Sequence, residues 1–165
     1  MAMICPLTKE HFSSIIAIAE DLSEWYTEHA RRKAIPVDIR HQGGFVSIEG
    51  GVVVGFVTFY VSEGKLNIGW LGVLKARQRM GIGKALLQSV DDKARELGIS
   101  EIAASTLGDG VDYPPYEQTR QFYFKNGFTI CQRSKTDNPE CPEEIRISRQ
   151  ITKGAARSAS DKARR

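Results

Sequence analysis

The chain has 165 residues, 41% of them hydrophobic and 26% charged, which suits one soluble globular domain with a real core. No stretch approaches the roughly 20 apolar residues of a membrane-spanning helix, since Val52–Phe59 is short and contains Gly55, and no membrane role is expected. The net charge of +3 comes from the end of the chain: Lys153, Arg157, Lys162, Arg164 and Arg165 face only Asp161, the rest sums to −1, and no nucleic-acid role is expected.

Cys5, Cys131 and Cys141 lack metal-ligand spacing, so no metal is expected, and their odd number suits a reducing compartment. No basic segment followed by an apolar one precedes the first helix, so a cytoplasmic setting is expected. Met3–Pro6 reads as a strand. Thr8 is an N-cap candidate, and Phe12, Ile15, Ile16, Ala19 and Leu22 then recur at helical spacing. A second helix is predicted near Ser23–Ala34, ending before Pro36 because the residue ahead of a proline disfavours the helical region. Gly43-Gly44 breaks the chain, Phe45–Ile48 is a strand, Glu49-Gly50-Gly51 a hairpin turn and Val52–Val61 a β-rich run. Ser62-Glu63-Gly64 turns into Leu66–Val73, completing an antiparallel meander.

Ile82, Leu86, Val90, Ala94 and Leu97 mark one face of a helix closed by Gly98. Glu101–Thr106 is a strand, Gly108–Pro115 a turn-rich loop, and Tyr116–Asn126 a helix ending at Gly127. Phe128–Arg133 and Glu144–Ser148 are the last strands, separated by a polar loop holding Asn138-Pro139 and Pro142. The order β-α-α-β-β-β-α-β-α-β-β predicts an α/β fold, with a mixed sheet of seven strands and four helices. The domain is expected to fill residues 1–150, and small and basic residues make 151–165 a disordered tail by composition.

Between Val73 and the helix near Gly81 lies Leu74-Lys75-Ala76-Arg77-Gln78-Arg79-Met80-Gly81-Ile82-Gly83-Lys84. A strand, a glycine-bearing loop and a helix N-terminus together make an anion site, because the first helical N–H groups lack acceptors and the helix dipole is positive there. Arg77, Arg79 and Lys84 add charge around the same point. The nucleotide P-loop, G-x-x-x-x-G-K-S/T, fails at Gln78 and at Ala85. The dinucleotide fingerprint G-x-G-x-x-G fails at Leu86 and does not follow a first parallel strand.

Gln78-x-x-Gly81-x-Gly83 resembles the acetyl-CoA signature Arg/Gln-x-x-Gly-x-Gly/Ala of the GNAT superfamily of N-acetyltransferases, with the family's valine five residues earlier as Val73. Phe122-Tyr123-Phe124-Lys125-Asn126-Gly127-Phe128 is similar to the family's F-Y-x-K-x-G-F segment, and the likeness in order and spacing runs from about Ile4 to Ile147. The resemblance implies a GNAT-like, mostly antiparallel sheet and cofactor contacts at Leu71, Val73, Gln78, Arg79, Met80, Gly81, Ile82, Gly83 and Lys84. Amides of Arg79 to Lys84 would hold the pyrophosphate of acetyl-CoA, and strand groups around Leu71 and Val73 its pantetheine. Gly69 and Gly72 interrupt the strand, as at a bulge that splays the central strands, or as relief for packing against Trp70.

The same resemblance makes Tyr123 the general acid for the departing thiolate; the alternative is a core aromatic with its hydroxyl satisfied. Leu66–Val73 carries no acidic residue where many relatives have a glutamate, so Asp109, Asp112, Glu117, His29, a water chain or direct entry of a neutral amine remain for the base. Two positions depart from the family: Lys75 replaces a common proline, and Tyr116 an asparagine that contacts pantetheine. Asp112, Tyr113 and Tyr116 are expected to line an acceptor pocket favouring a cationic amine, with Trp25 and Tyr26 opposite; a rigid proline loop and ordinary aromatic packing account for them equally. The function implied is transfer of acetyl from acetyl-CoA to a primary amine of a small molecule or peptide, by direct attack in a ternary complex. The alternative is a non-catalytic acyl-CoA-binding regulatory module. Relatives often form a homodimer, of which these residues give no independent sign.

Overall fold

The computed structural model describes residues 2–139 and 141–151. One seven-stranded sheet runs in the order β1-β2-β3-β4-β5-β7-β6, from β1 (Met3–Pro6), β2 (Gly43–Glu49), β3 (Val52–Ser62), β4 (Lys65–Val73), β5 (Glu101–Leu107), β6 (Thr129–Asn138) and β7 (Cys141–Gln150). Among the described strands, only β4 and β5 are parallel. Helices α1 (Phe12–Asp21) and α2 (Ile35–Asp38) cover one face, where Ile15, Ile18, Ile35, Val46 and Phe56 form a core. Helices α3 (Ile82–Glu96) and α4 (Pro114–Lys125) cover the other, over Leu66, Leu86, Val90, Ile102, Ile145 and Ile147. The predicted mixed sheet, with its four helices, is thus the observed fold. No helix among the described residues is long and apolar enough to cross a membrane.

Thr8 caps a short 3-10 turn, Lys9–His11, that leads into α1. The second helix starts later than predicted and continues past Pro36. Residues 22–26 are turns, Thr27 Oγ1 accepts the Ala30 amide at 3.1 Å, and a π-helical turn, Ala30–Ala34, runs into α2. The Ile35 amide bonds to Ala30, five residues back, and this wide turn leaves room for the proline ring. Pro36 then sits in the first turn of α2, where its missing N–H costs nothing.

Helix α3 buries Ile82, Leu86, Leu87, Val90 and Ala94, but Leu97 is 48% exposed, contrary to the predicted stripe. The chain leaves the helix at Gly98 (φ 72), with Ile99 N–H bonded to Ala94 and Gly98 N–H to Arg95, and Ile99 packs on the core instead. The polar loop predicted between the last strands is mostly strand. β6 and β7 form a long hairpin whose register slips between Lys135 and Asn138, a bulge that accommodates Pro142. Ile151 still belongs to the fold, its amide bonded to Ser100 at 2.8 Å. The predicted tail from residue 152 onward lies outside the described residues.

Candidate active site

β4 and β5 pair only at Leu66–Ile102 and Asn67–Ala103, then diverge. The cause is a bulge: Gly69 and Trp70 of β4 together oppose Thr58 of β3, and the Trp70 amide donates to Thr58 Oγ1 at 2.8 Å. A Cβ on Gly69 would fall 2.1 Å from Gln42 Oε1 and 2.7 Å from Thr58 Oγ1, so a larger residue there would have to displace both side chains. Beyond the bulge the Leu74 amide bonds to Val54 of β3 at 2.9 Å. Strand alternation then turns the backbone groups of Leu71 and Val73 toward the gap, where no strand partners them. The Val73 carbonyl accepts from Gln78 Nε2 at 3.2 Å, and the Leu71 carbonyl from the Tyr26 hydroxyl.

At the open end of the gap, β4 passes through a 3-10 turn (Lys75–Arg77) into α3. Arg79 (φ 63) and Gly81 (φ 82) both hold left-handed backbone, and Gly81 is the N-cap. No side chain among the described residues caps α3, and its first internal bond is from Ala85 to Gly81, so the amides of Ile82, Gly83 and Lys84 precede the ladder. A Cβ on Gly81 would enter open space. These features fit a phosphate group. Arg77, expected to add charge here, is turned to Glu49 at 3.1 Å, and Lys75 to Glu24 at 2.5 Å. Arg79, Met80 and Lys84 are exposed, and neither Arg79 nor Lys84 is ion-paired among the described residues. Gly83 is close-packed, with a Cβ there only 3.1 Å from the Phe122 ring.

α4 carries Tyr123, whose ring packs edge-on against Phe122 and Phe128 and is buried. Its hydroxyl makes no hydrogen bond among the described residues, and burial pushes it above the ordinary tyrosine range. Burial likewise raises Tyr26, and the nearby Tyr123 hydroxyl adds to that shift. Two protonated hydroxyls therefore face the same region. Beside them is an aromatic cavity of about 290 Å³ lined by Trp25, Tyr26, His29, Trp70, Tyr116 and Cys141, among others. Asp112 and Tyr113 are not in its lining; Asp112 is exposed, and Tyr113 donates to the Glu24 carbonyl at 2.7 Å. With Trp25 Nε1 bonded to the Pro115 carbonyl at 3.0 Å, the segment after α1 is latched to the start of α4.

Of the carboxylates considered as bases, Asp109 is held below its usual range by the Arg133 hydrogen bond, and Glu117 by hydrogen bonds from Gln121 and Arg120. Both prefer to stay ionised in their pairs, whereas His29 lines the cavity. Sequence reasoning missed Arg120, which is 4% exposed and donates to the carbonyls of Leu107 and Gly108, both at 3.0 Å. It fixes the end of β5 to α4. Nothing in its surroundings along the chain marks it, since arginine is ordinary on a helix. Trp70 was legible only through the glycines beside it.

A splayed β4–β5 pair, a bulge on β4 and an uncapped helix after it together define the GNAT acetyltransferase fold. The model of the acetyltransferase (GNAT) family matches residues 10–128, and the chain belongs to that family. An uncharacterised Bacillus subtilis (strain 168) protein, YdhI, is 28% identical over 102 residues, 61% of this chain; the match spans about three fifths (62%) of that relative's length. Among solved structures, a Desulfovibrio desulfuricans protein described as a GNAT-family acetyltransferase superposes with a TM-score of 0.78 at 20% identity, covering 92% of this chain and 100% of that one. The PaiA N-acetyltransferase of Thermoplasma acidophilum, solved with coenzyme A, superposes with a TM-score of 0.72 at 18% identity, covering 91% and 99%.

Proposed function

We propose that the protein is an N-acetyltransferase that moves the acetyl group of acetyl-CoA to a primary amine of a small molecule or peptide, by direct attack in a ternary complex. The observation that carries this reading is the gap between β4 and β5, which has Leu71 and Val73 backbone groups without a strand partner along one side and, among the described residues, the unbonded Tyr123 hydroxyl beside it. The open space over Gly81 and the free amides of Ile82, Gly83 and Lys84 suit a pyrophosphate, with Arg79 and Lys84 adding charge and Met80 an exposed apolar contact. Gln78 acts from behind, fixing the loop to Val73. Coenzyme A bound to PaiA supports the same ligand here.

Acetyl-CoA would supply an activated acyl thioester. Leu71 and Val73 amides are the donors available to its carbonyl oxygen as negative charge develops. Tyr123, kept protonated by burial, donates to the leaving sulfur as the C–S bond breaks and the C–N bond forms. The amine attacks in its neutral form, its nitrogen gives up a proton to water as the amide forms, and Tyr123 regains from solvent the proton it gave to the sulfur. The free thiols of Cys5, Cys131 and Cys141 suit a reducing, cytoplasmic setting. Calorimetric titration with coenzyme A, followed by a free-thiol assay with acetyl-CoA and a broad amine and peptide panel, tests the reading. Binding with turnover is expected; binding without turnover across the panel would instead favour a non-catalytic module.

A further inference from the structure

The same side of the sheet holds a second cavity, about 240 Å³, that shares only Trp70 with the aromatic one. Its polar lining is Asp38, Gln42, Tyr60 and Ser105, with no lysine, arginine or histidine among the described residues. The Trp70 indole N–H donates to Asp38 Oδ2 at 2.8 Å, and Asp38 has no ion pair among the described residues. That carboxylate stands at the C-terminal end of α2, where helix carbonyls already gather negative charge, so it does nothing for the helix. Gln42 Oε1 is buried beside Gly69 with no hydrogen-bond partner among the described residues. Native proteins leave few such atoms bare. Arg146 reaches Ser105 Oγ at 3.2 Å and is also held by Asn67, but it is not part of the lining.

An anionic carboxylate and a bare amide oxygen call for a donor with positive charge. The aromatic cavity includes Tyr26, whose hydroxyl sits on Leu71 at the gap; the polar cavity includes neither Tyr26, Leu71 nor Tyr123. Its occupant is therefore a group other than the one that reacts. We infer that this cavity is a subsite for a second, unreacting ammonium or guanidinium group of the acceptor. The aromatic cavity delivers one amine to the gap, and Asp38 and Gln42 hold the other cationic centre beside Trp70. The inference rests on the acetyltransferase reading above and names its acceptor class: molecules with two positive centres.

The test compares diaminobutane and diaminohexane with butylamine and hexylamine, in wild type, Asp38→Asn and Gln42→Leu. The amide introduced by Asp38→Asn can still accept from Trp70, and Gln42→Leu leaves the carboxylate in place, so the two variants separate charge from the amide contact. Wild type should favour the matched diamine by about tenfold in kcat/KM, the worth of one charge-assisted hydrogen bond. That ratio should collapse in Asp38→Asn and shrink in Gln42→Leu, with melting curves confirming both fold. A ratio near one in wild type, or one that survives in both variants, overturns the subsite. If no amine is acetylated, calorimetry with diaminohexane keeps the questions apart. Binding that Asp38→Asn abolishes supports the subsite while the enzyme reading falls, and absence of binding to wild type overturns the subsite.

Discussion

Replacing Arg120 with methionine keeps most of the aliphatic stem and removes every donor. In the wild type its Nη1 serves the Leu107 and Gly108 carbonyls, while Nε and Nη2 reach Glu117 Oε2 at 3.2 and 2.7 Å. Glu117 is exposed and simply rehydrates. The two carbonyls cannot do so as easily: each unsatisfied buried acceptor costs about 1–3 kcal/mol, and with Leu107 only partly enclosed the pair comes to about 3 kcal/mol. Unfolding entropy of roughly 2 cal/mol/K per residue gives about 0.35 kcal/mol/K for a chain of this length, so Tm should fall by about 9 °C. Scanning calorimetry at neutral pH measures it. Arg120→Lys, which keeps the charge without the planar fork, should fall between. A drop below about 3 °C in Arg120→Met would refute the reasoning, because water or a relaxed loop would then be replacing both bonds.

Tyr123→Phe should lower kcat by about 100-fold or more while calorimetric affinity for coenzyme A holds; unchanged turnover rejects the proton-donor role. Since burial raises both Tyr26 and Tyr123, neither should ionise in the folded protein at the usual pKa of about 10. Stability is therefore unaffected by them below pH 10 and declines above it, where only the unfolded chain ionises them; a melting series across pH 8 to 11 checks the sign. Gly81→Ala forces a Cβ into left-handed backbone, at about 1–2 kcal/mol, and points it into the space assigned to the pyrophosphate. Its Kd for coenzyme A should rise about tenfold, and an unaltered Kd would move the phosphate elsewhere.

The meander and α3 were legible because alternation and the 3.6-residue period are strong when one face is buried. Gly69 was readable as an interruption, and the bulge it permits is where the strands part. Pro36 misled because the proline rule assumes an α-helical turn, whereas the chain widens to a π turn just before it. β6 was cut short because an edge strand with nearly all residues exposed carries no hydropathy alternation; cross-strand pairs such as Lys135 with Glu143 are visible only once paired. In the site, backbone-made features were predictable from glycines and order. Side-chain assignments were not: Arg77 turns to Glu49, and Asp38 and Gln42 line the neighbouring polar cavity from the end of α2 and the turn after it, whose position depends on the whole α1–α2 layer.

Among the described residues, two pairs are the only ladder between the leaf β1–β4 and the leaf β5–β7. Such a seam cannot set the angle between the leaves. Their spread, opened at the bulge, is held from beneath by the core that α3 side chains such as Leu86 and Val90 share with Leu66 and Ile102 on either side of the seam. The aperture of the gap thus also depends on core volume. A methylene gained or lost at Ile102, touching no ligand, would retune it as surely as a change at the rim.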